Sequence, residues 1–443
     1  MDIVIKISQF LLSLSLLIVL HELGHFIPAK LFKTKVEKFY LFFDYKFSLF
    51  KKKIGETVYG IGWIPLGGYV KIAGMIDESM DTEQLKEEPK PWEFRSKPAW
   101  QRLIIMLGGV TVNFLLGIFI YIMILNVWGE DYVNPNSVKN GFAVAKQFEQ
   151  YGFKNGDKIL KVNGKEPYDV LSVNKNLFLR DVSSIEIKHL DGTVKTINLP
   201  DDIGLRMWTD GVMEPFSLRI TAVIDSVFPN TPASKVNLRK NDRIVSVNGK
   251  EVPYWDQFTA VVQENKDRKE MTFVILRNGN KDTINIAPNE KNKIGVLPSM
   301  SLLDTIKHHK DYSFRESISV GTSKAYWTLR DYIAQFKYVF TKKGASSVGG
   351  FGAILSIFPT KWDWQRFWSL TAFLSIMLAF MNLLPIPALD GGHVVFTLYE
   401  MISGRKPSDK FLERAQIVGF IFLITLLLYA NGNDLYKWLT DKF

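Results

Sequence analysis

The chain has 443 residues, enough for two or three domains, and a formal net charge of +10 at pH 7. It contains no cysteine, which excludes disulfides and thiolate metal ligands. Hydrophobic residues make up 47% of the sequence but are concentrated in separate stretches, which indicates a membrane protein with soluble segments between its spans. We interpret the excess of basic residues as a topology signal, and no nucleic-acid partner is expected.

The first apolar stretch, residues 1–28, carries three ionisable residues in the sequence HELGH at 21–25. Two imidazoles four residues apart lie on the same face of a helix, so His21 and His25 can both reach one zinc ion. Glu22 lies near that face and can take a proton from an attacking water molecule. Because ionisable groups at membrane depth are costly, they are usually functional. We therefore favour a zinc site over a chance occurrence of the motif.

Residues 29–102 begin with many lysines, which predicts a cytoplasmic position. The part at 57–72 is strand-like and rich in glycine, and its aromatic content and basic flanks favour a β sheet associated with the membrane interface. A cytosolic hairpin without a role is the alternative. An acidic solvated loop is predicted at 77–93.

A second span is predicted at 103–128, where Asn113 interrupts the apolar residues. An asparagine inside a membrane helix more often forms an interhelical hydrogen bond than takes part in catalysis. We therefore interpret Asn113 as structural.

An internal repeat follows the second span. GDKILKVNGKE at 156–166 returns as NDRIVSVNGKE at 241–251, and each copy combines an alternating strand with an Asn-Gly turn suited to a hairpin. The repeat predicts two small α+β domains, at 129–207 and 208–300, that resemble PDZ domains. Peptide binding by these domains and a role as spacers both remain open.

Residues 301–366 have helical patterning. We predict an amphipathic segment on the outer membrane surface, with a helix packed on the second PDZ-like domain as the alternative.

A third span is predicted at 367–400 and a fourth at 401–443. A catalytic zinc ion needs a third protein ligand and one open position. Asp390 is the candidate, in NLLPIPALDGGH at 382–393, although Asp-Gly-Gly alone would be an ordinary turn. His393 has three interpretations: an outer-sphere partner that orients Asp390, a transition-state donor, or a satisfied histidine at a helix start.

Basic residues after the first span and between the third and fourth spans predict that both loops are cytoplasmic. Both termini and the repeat-containing segment are then extracytoplasmic. The predicted fold class is a polytopic α-helical membrane protein with four transmembrane helices, a membrane-associated β sheet and two extracytoplasmic PDZ-like α+β domains.

The order of HExxH, GGYVKIAG, tandem PDZ-like domains and N-x-x-P-x-x-x-x-D-G resembles the site-two protease family of intramembrane zinc metalloproteases. The resemblance covers essentially the whole chain. It implies one Zn²⁺ per chain and assigns roles to residues at matching positions: His21, His25 and Asp390 as zinc ligands, Glu22 as general base, and Asn382, Gly67, Gly68 and Tyr69 as substrate-binding residues.

By this resemblance, the protein lies in a bacterial inner membrane and cleaves transmembrane segments of single-span proteins. Such substrates include membrane-bound anti-sigma factors first trimmed by another protease, and leftover signal peptides. Two other classes of protein are possible: a scaffold and a metal-ion transporter. A scaffold with a degenerate metal site does not need Glu22, and a metal-ion transporter does not need tandem PDZ-like domains.

Overall fold

A computed structural model describes residues 2–65, 67–75, 88–265, 267 and 269–440. Most of the predicted acidic loop lies outside these residues. The chain divides into two compact units, one formed by Met1–Gly129 with Asp311–Phe443 and the other by Glu130–Lys310.

The helices of the described residues follow in chain order: α1 Asp2–Leu31, α2 Ala99–Trp128, α3 Lys146–Glu149, α4 Val173–Leu179, α5 Ile203–Asp210, α6 Pro232–Lys235, α7 Trp255–Glu264, α8 Ser301–Ile306, α9 Phe314–Val339, α10 Lys342–Ala345, α11 Phe351–Ser356, α12 Trp364–Leu383, α13 Asp390–Ser403 and α14 Asp409–Leu439. The strands are β1 Val36–Leu41, β2 Phe50–Ile54, β3 Thr57–Ile61, β4 Tyr69–Ile72, β5 Glu130–Val133, β6 Phe142–Val144, β7 Lys158–Val162, β8 Ser184–Lys188, β9 Val194–Asn198, β10 Phe216–Leu218, β11 Ile224–Val227, β12 Arg243–Val247, β13 Lys250–Glu251, β14 Met271–Arg277, β15 Asn280–Ile286, β16 Val296–Pro298 and β17 Lys307–Lys310.

Four helices, α1, α2, α12 and α14, are long and apolar enough to cross a membrane among the residues that are described. Four spans were predicted. Their apolar runs are long enough for the hydrocarbon core of a bilayer, which needs about 20 residues in a helix. All four belong to the unit that contains both ends of the described chain.

The third apolar stretch forms two helices where the sequence predicted one span at 367–400. Helix α12 ends at Leu383 and α13 begins at Asp390. Pro385 and Pro387 lie between them, and a proline disfavours helical backbone both at its own position and at the residue before it. Ala388 takes a left-handed conformation with φ of 75°. The resulting turn leaves Asp390 in the first turn of α13, where the helix dipole favours a carboxylate.

Helix α9 packs along α2 instead of standing apart from the other helices. An added Cβ at Gly321 would collide with Ile122, so the small residue lets the two helices approach closely. The Thr328 hydroxyl donates a hydrogen bond of 3.3 Å to the Tyr121 oxygen. The helical pattern predicted within 301–366 thus includes a face that packs on a membrane-spanning helix.

A four-stranded sheet in the order β2-β3-β1-β4 lies beside α1. Strand β1 runs parallel to β3 and antiparallel to β4. Because β4 is the last strand in this order, one of its edges is not paired within the sheet of described residues. That edge can accept a further strand.

The second unit contains two separate hydrophobic cores, one built from residues 133–216 together with Ile306 and the other from residues 222–294. The repeat has the same local structure in both halves: Asn163 and Asn248 have φ of 50° and 52°, and each is followed by a glycine with positive φ. An Asn-Gly pair in which both residues have positive φ forms the two-residue turn that suits the twist of a β hairpin. Strands β5 and β17 pair antiparallel, so both ends of the unit meet in one ladder.

Candidate metal centre

Three potential metal ligands from two helices converge in the helical unit. The Nε2 atoms of His21 and His25 on α1 are 3.2 Å apart. The Oδ2 atom of Asp390 at the start of α13 lies 3.3 Å from each of them. The three atoms therefore form a nearly equilateral triangle, which joins residues more than 360 positions apart in sequence.

The triangle has the size that a tetrahedral zinc ion requires. Nitrogen and oxygen ligands at about 2.0–2.2 Å from zinc lie about 3.3–3.6 Å from one another. The Oδ2 atom of Asp390 is also buried and accepts no hydrogen bond from any described residue. A buried carboxylate oxygen without a hydrogen-bond donor is costly unless a cation compensates it. The donor set and its spacing thus fit zinc.

The backbone of α2 fixes the orientation of His25. Its Nδ1–H donates a hydrogen bond of 2.8 Å to the carbonyl oxygen of Ile105. A carbonyl can only accept, so the proton of a neutral imidazole lies on Nδ1 and the lone pair on Nε2 faces Asp390. Backbone carbonyls commonly orient metal-binding histidines in this way.

Two glycines allow α2 to approach the imidazoles. A Cβ at Gly108 would collide with the carbonyl of Gly24 on α1, and a Cβ at Gly109 would collide with the rings of both His21 and His25. Glycine at these positions lets the two helices touch backbone to backbone. Gly108 and Gly109 were not among the predicted site residues; an adjacent glycine pair inside an apolar helix was the available signal.

Glu22 lines the same cavity of about 90 Å³ as the three ligand candidates. This volume exceeds the roughly 10–15 Å³ that one water molecule needs. The backbone N–H of Val70 on β4 lies close to the Glu22 carboxylate. The unpaired edge of β4 therefore faces the candidate base. Val70 lies in the predicted strand region, but no motif indicates this contact.

Asn382 also lines the cavity, and its Nδ2 atom lies 3.3 Å from Nε2 of His21. This places an amide donor beside the ligand triangle. Asn382 lies near the end of α12, on the opposite side of the proline-containing turn from Asp390. The turn thus holds both side chains at one site.

The predicted residues of the glycine-rich strand lie in different environments. Tyr69 lines the cavity. Gly68 packs between Ile18 and the backbone of Tyr40, and an added Cβ would also lie 3.6 Å from Cγ of Glu22. Gly67 lies against the ring of Phe43. Gly68 thus permits β4 to contact α1.

His393 and Gln416 are in contact, and of the two only His393 was predicted as a site residue. Nε2 of His393 and Nε2 of Gln416 are 2.6 Å apart, and both side chains line the cavity. The side-chain amide of Gln416 thus connects α14 to the first turn of α13. Gln416 was not predicted because a single glutamine near a charged helix start carries no motif.

Comparisons with known proteins agree with this chemistry. The family model described as peptidase family M50 matches residues 9–426. The regulator of sigma-E protease RseP from Escherichia coli is 28% identical over 464 aligned residues, which cover 97% of this chain and 98% of that protein. The regulator of sigma E protease from Haemophilus influenzae is 27% identical over 98% of this chain and 99% of its own length. A Vibrio cholerae protein with the provisional name zinc metalloprotease is 26% identical over 98% of this chain and 99% of its own length. These findings confirm the resemblance stated from the sequence.

Proposed function

Because the chain belongs to peptidase family M50 and is a metalloprotease, we propose that it hydrolyses a peptide bond inside or beside the transmembrane segment of a single-span membrane protein. One observation carries the proposal: two of the three ligand candidates lie on α1, a helix long enough to span a membrane, with Glu22 in the same cavity. His21 lies ten residues before the end of α1, about 15 Å along a helix. This depth suits cleavage within a bilayer.

In this proposal, His21, His25 and Asp390 hold one zinc ion per chain. Zinc bound there supplies a Lewis acid that polarises the scissile carbonyl and activates water for attack. Glu22 accepts the proton of the attacking water and passes it to the leaving amine. The intact Glu22 argues against a scaffold with only a structural metal, because a structural site does not need a base.

Asn382 is proposed to bind the carbonyl oxygen of the scissile bond. Its amide lies beside the ligand triangle and can donate as negative charge develops on that oxygen. Loss of one such donor typically costs about 100- to 1,000-fold in rate. His393, held near Gln416, lines the same cavity and is proposed as an outer-sphere group.

The edge of β4 is proposed to bind the substrate as an added strand. A helical substrate keeps its amides in its own hydrogen bonds, so it must unwind before a carbonyl can reach the metal. An exposed strand edge replaces those lost bonds. The Val70 N–H, directed at Glu22, supports this role for the edge that contains Tyr69, and Gly68 allows it to lie against α1.

The second unit is proposed to consist of two PDZ-like domains on the extracytoplasmic side, with both termini on that side as well. Its two cores and its two hairpin turns of the same type support two related modules. We propose that they mainly limit the size of substrate that is cleaved. Capture of a newly formed C-terminus in a PDZ groove is the competing role.

The substrates are proposed to be single-span proteins of the bacterial inner membrane that another protease has first trimmed. Membrane-bound anti-sigma factors are the first class and leftover signal peptides the second. Co-expression with a tagged library of single-span proteins tests this: fragments must appear with the native chain and not with Glu22→Gln. A library without any such fragment would contradict the proposed function.

A further inference from the structure

Asn113, on α2, is fully buried and its side chain lies against the metal centre. Its Nδ2 atom is 3.2 Å from Nδ1 of His21. Its Oδ1 atom is buried and has no hydrogen-bond partner among the described residues. An unsatisfied buried amide oxygen costs about 1–3 kcal/mol.

The geometry of His21 indicates which of its nitrogens carries the proton. Nε2 faces Nε2 of His25 and Oδ2 of Asp390 at 3.2 and 3.3 Å. If Nε2 binds the metal, the single proton of the neutral ring lies on Nδ1 and needs an acceptor. An amide nitrogen cannot accept it, but an amide oxygen can.

The two ends of an asparagine amide have nearly the same shape, and their assignment follows from the hydrogen bonds that each end makes. Exchanging Oδ1 and Nδ2 of Asn113 leaves the packing of α2 unchanged. It places Oδ1 at hydrogen-bonding distance from Nδ1–H of His21 and gives this buried oxygen a donor.

We propose that Asn113 is a positioning residue of the metal centre, whose side-chain oxygen accepts the Nδ1–H hydrogen bond of His21 and holds Nε2 toward Asp390. This proposal goes beyond our interpretation of Asn113 as a residue that forms an interhelical hydrogen bond, because it gives that bond a role at the metal centre. Ile105 already performs the same task for His25 through its carbonyl. Helix α2 then orients both imidazoles of α1, through one backbone group and one side chain.

Ser375 provides a matched control because it contacts the same residue at another atom. Its hydroxyl donates a hydrogen bond of 2.6 Å to the backbone carbonyl of Asn113. Ser375→Ala therefore removes an interhelical bond at Asn113 without changing its side chain. A purely structural role for Asn113 predicts similar effects from Ser375→Ala and Asn113→Leu.

The inference rests on the proposed metal site, and its test measures zinc affinity instead of cleavage. The full-length protein in nanodiscs is titrated with zinc against a chromophoric chelator. Asn113→Leu should weaken zinc binding about 10- to 100-fold, the usual cost of losing such a partner. Asn113→Asp should bind zinc at least as tightly as the native chain, because a carboxylate accepts the same bond, and Ser375→Ala should match the native chain.

Native affinity in Asn113→Leu, or an equal loss in Asn113→Leu and Asn113→Asp, would overturn the positioning role. His21→Ala separates this failure from that of the metal site. If the native chain binds zinc no more tightly than His21→Ala, the site assignment is wrong and the inference fails with it.

Discussion

The carbonyl oxygen of Ile105 accepts a hydrogen bond from Nδ1–H of His25 at 2.8 Å, so the backbone of one membrane helix sets the tautomer of a ligand candidate on another. Such a bond cannot be removed by changing the Ile105 side chain. It makes the position of α2 relative to α1 part of the metal centre.

Glu22→Gln should abolish cleavage and leave about one zinc ion per chain, because the base is not a metal ligand. Zinc content measured by elemental analysis and cleavage of a tagged single-span substrate check this. A His21→Ala/His25→Ala double variant serves as the metal-free control. Unchanged turnover in Glu22→Gln would refute the proposed mechanism, and zinc retained by the double variant would refute the ligand assignment.

Asp390→Ala should reduce both zinc content and cleavage, because it removes one vertex of the ligand triangle. Asp409→Ala is the control, since Asp409 is an exposed aspartate at the start of α14. We expect native zinc content and cleavage for the control. Asp390→Ala with full zinc content would place the third ligand elsewhere.

Gly109→Ala should weaken zinc binding and cleavage by about tenfold or more, because the added methyl group collides with both imidazoles. Forcing a methyl group into a close-packed site costs about 1–3 kcal/mol. Gly432→Ala is the matched control, since a Cβ there meets no atom of the described residues within 4 Å. Equal zinc affinity in the two variants would show that the close approach of α2 is not required.

Val70→Pro should lower cleavage about tenfold, because it removes an N–H beside Glu22 from the edge of β4 that the proposal assigns to pairing with the substrate. A lost backbone hydrogen bond is worth about 1 kcal/mol. Val70→Ala keeps the N–H and should retain most of the activity. Both variants should keep their zinc. If Val70→Pro cleaves a stable helical substrate as fast as Val70→Ala does, strand addition at this edge is wrong.

A folded domain fused to the extracytoplasmic end of a trimmed substrate should block its cleavage, whereas changing the terminal residue of that substrate should have little effect. The proposed reason is steric: about 180 residues of the second unit are inserted in the chain directly after α2, and the two ends of that unit pair with each other through β5 and β17. Deleting residues 130–300 should restore cleavage of the bulky substrate. Strong dependence on the terminal residue, with bulk tolerated, would favour capture in a PDZ groove.

The sequence alone determined the ligand types, the four apolar helices and the internal repeat, because each depends on local spacing. HELGH places two imidazoles on one helical face whatever the rest of the chain does, and Asn-Gly favours a hairpin turn by its own conformational preference. The resemblance then assigned Asp390 to the same site.

Only the tertiary structure decided which groups surround those ligands. The contacts of Ile105 with His25, Asn113 with His21, Val70 with Glu22 and Gln416 with His393 join segments that are far apart in sequence. Such contacts depend on how closely the helices pack, and glycines at 24, 108 and 109 set that distance. The break between α12 and α13 has a similar origin, because two prolines end one helix and the turn delivers Asp390 to the triangle. Local periodicity contains no information on the distance or direction between groups on different helices and strands. These contacts therefore could not be predicted from it.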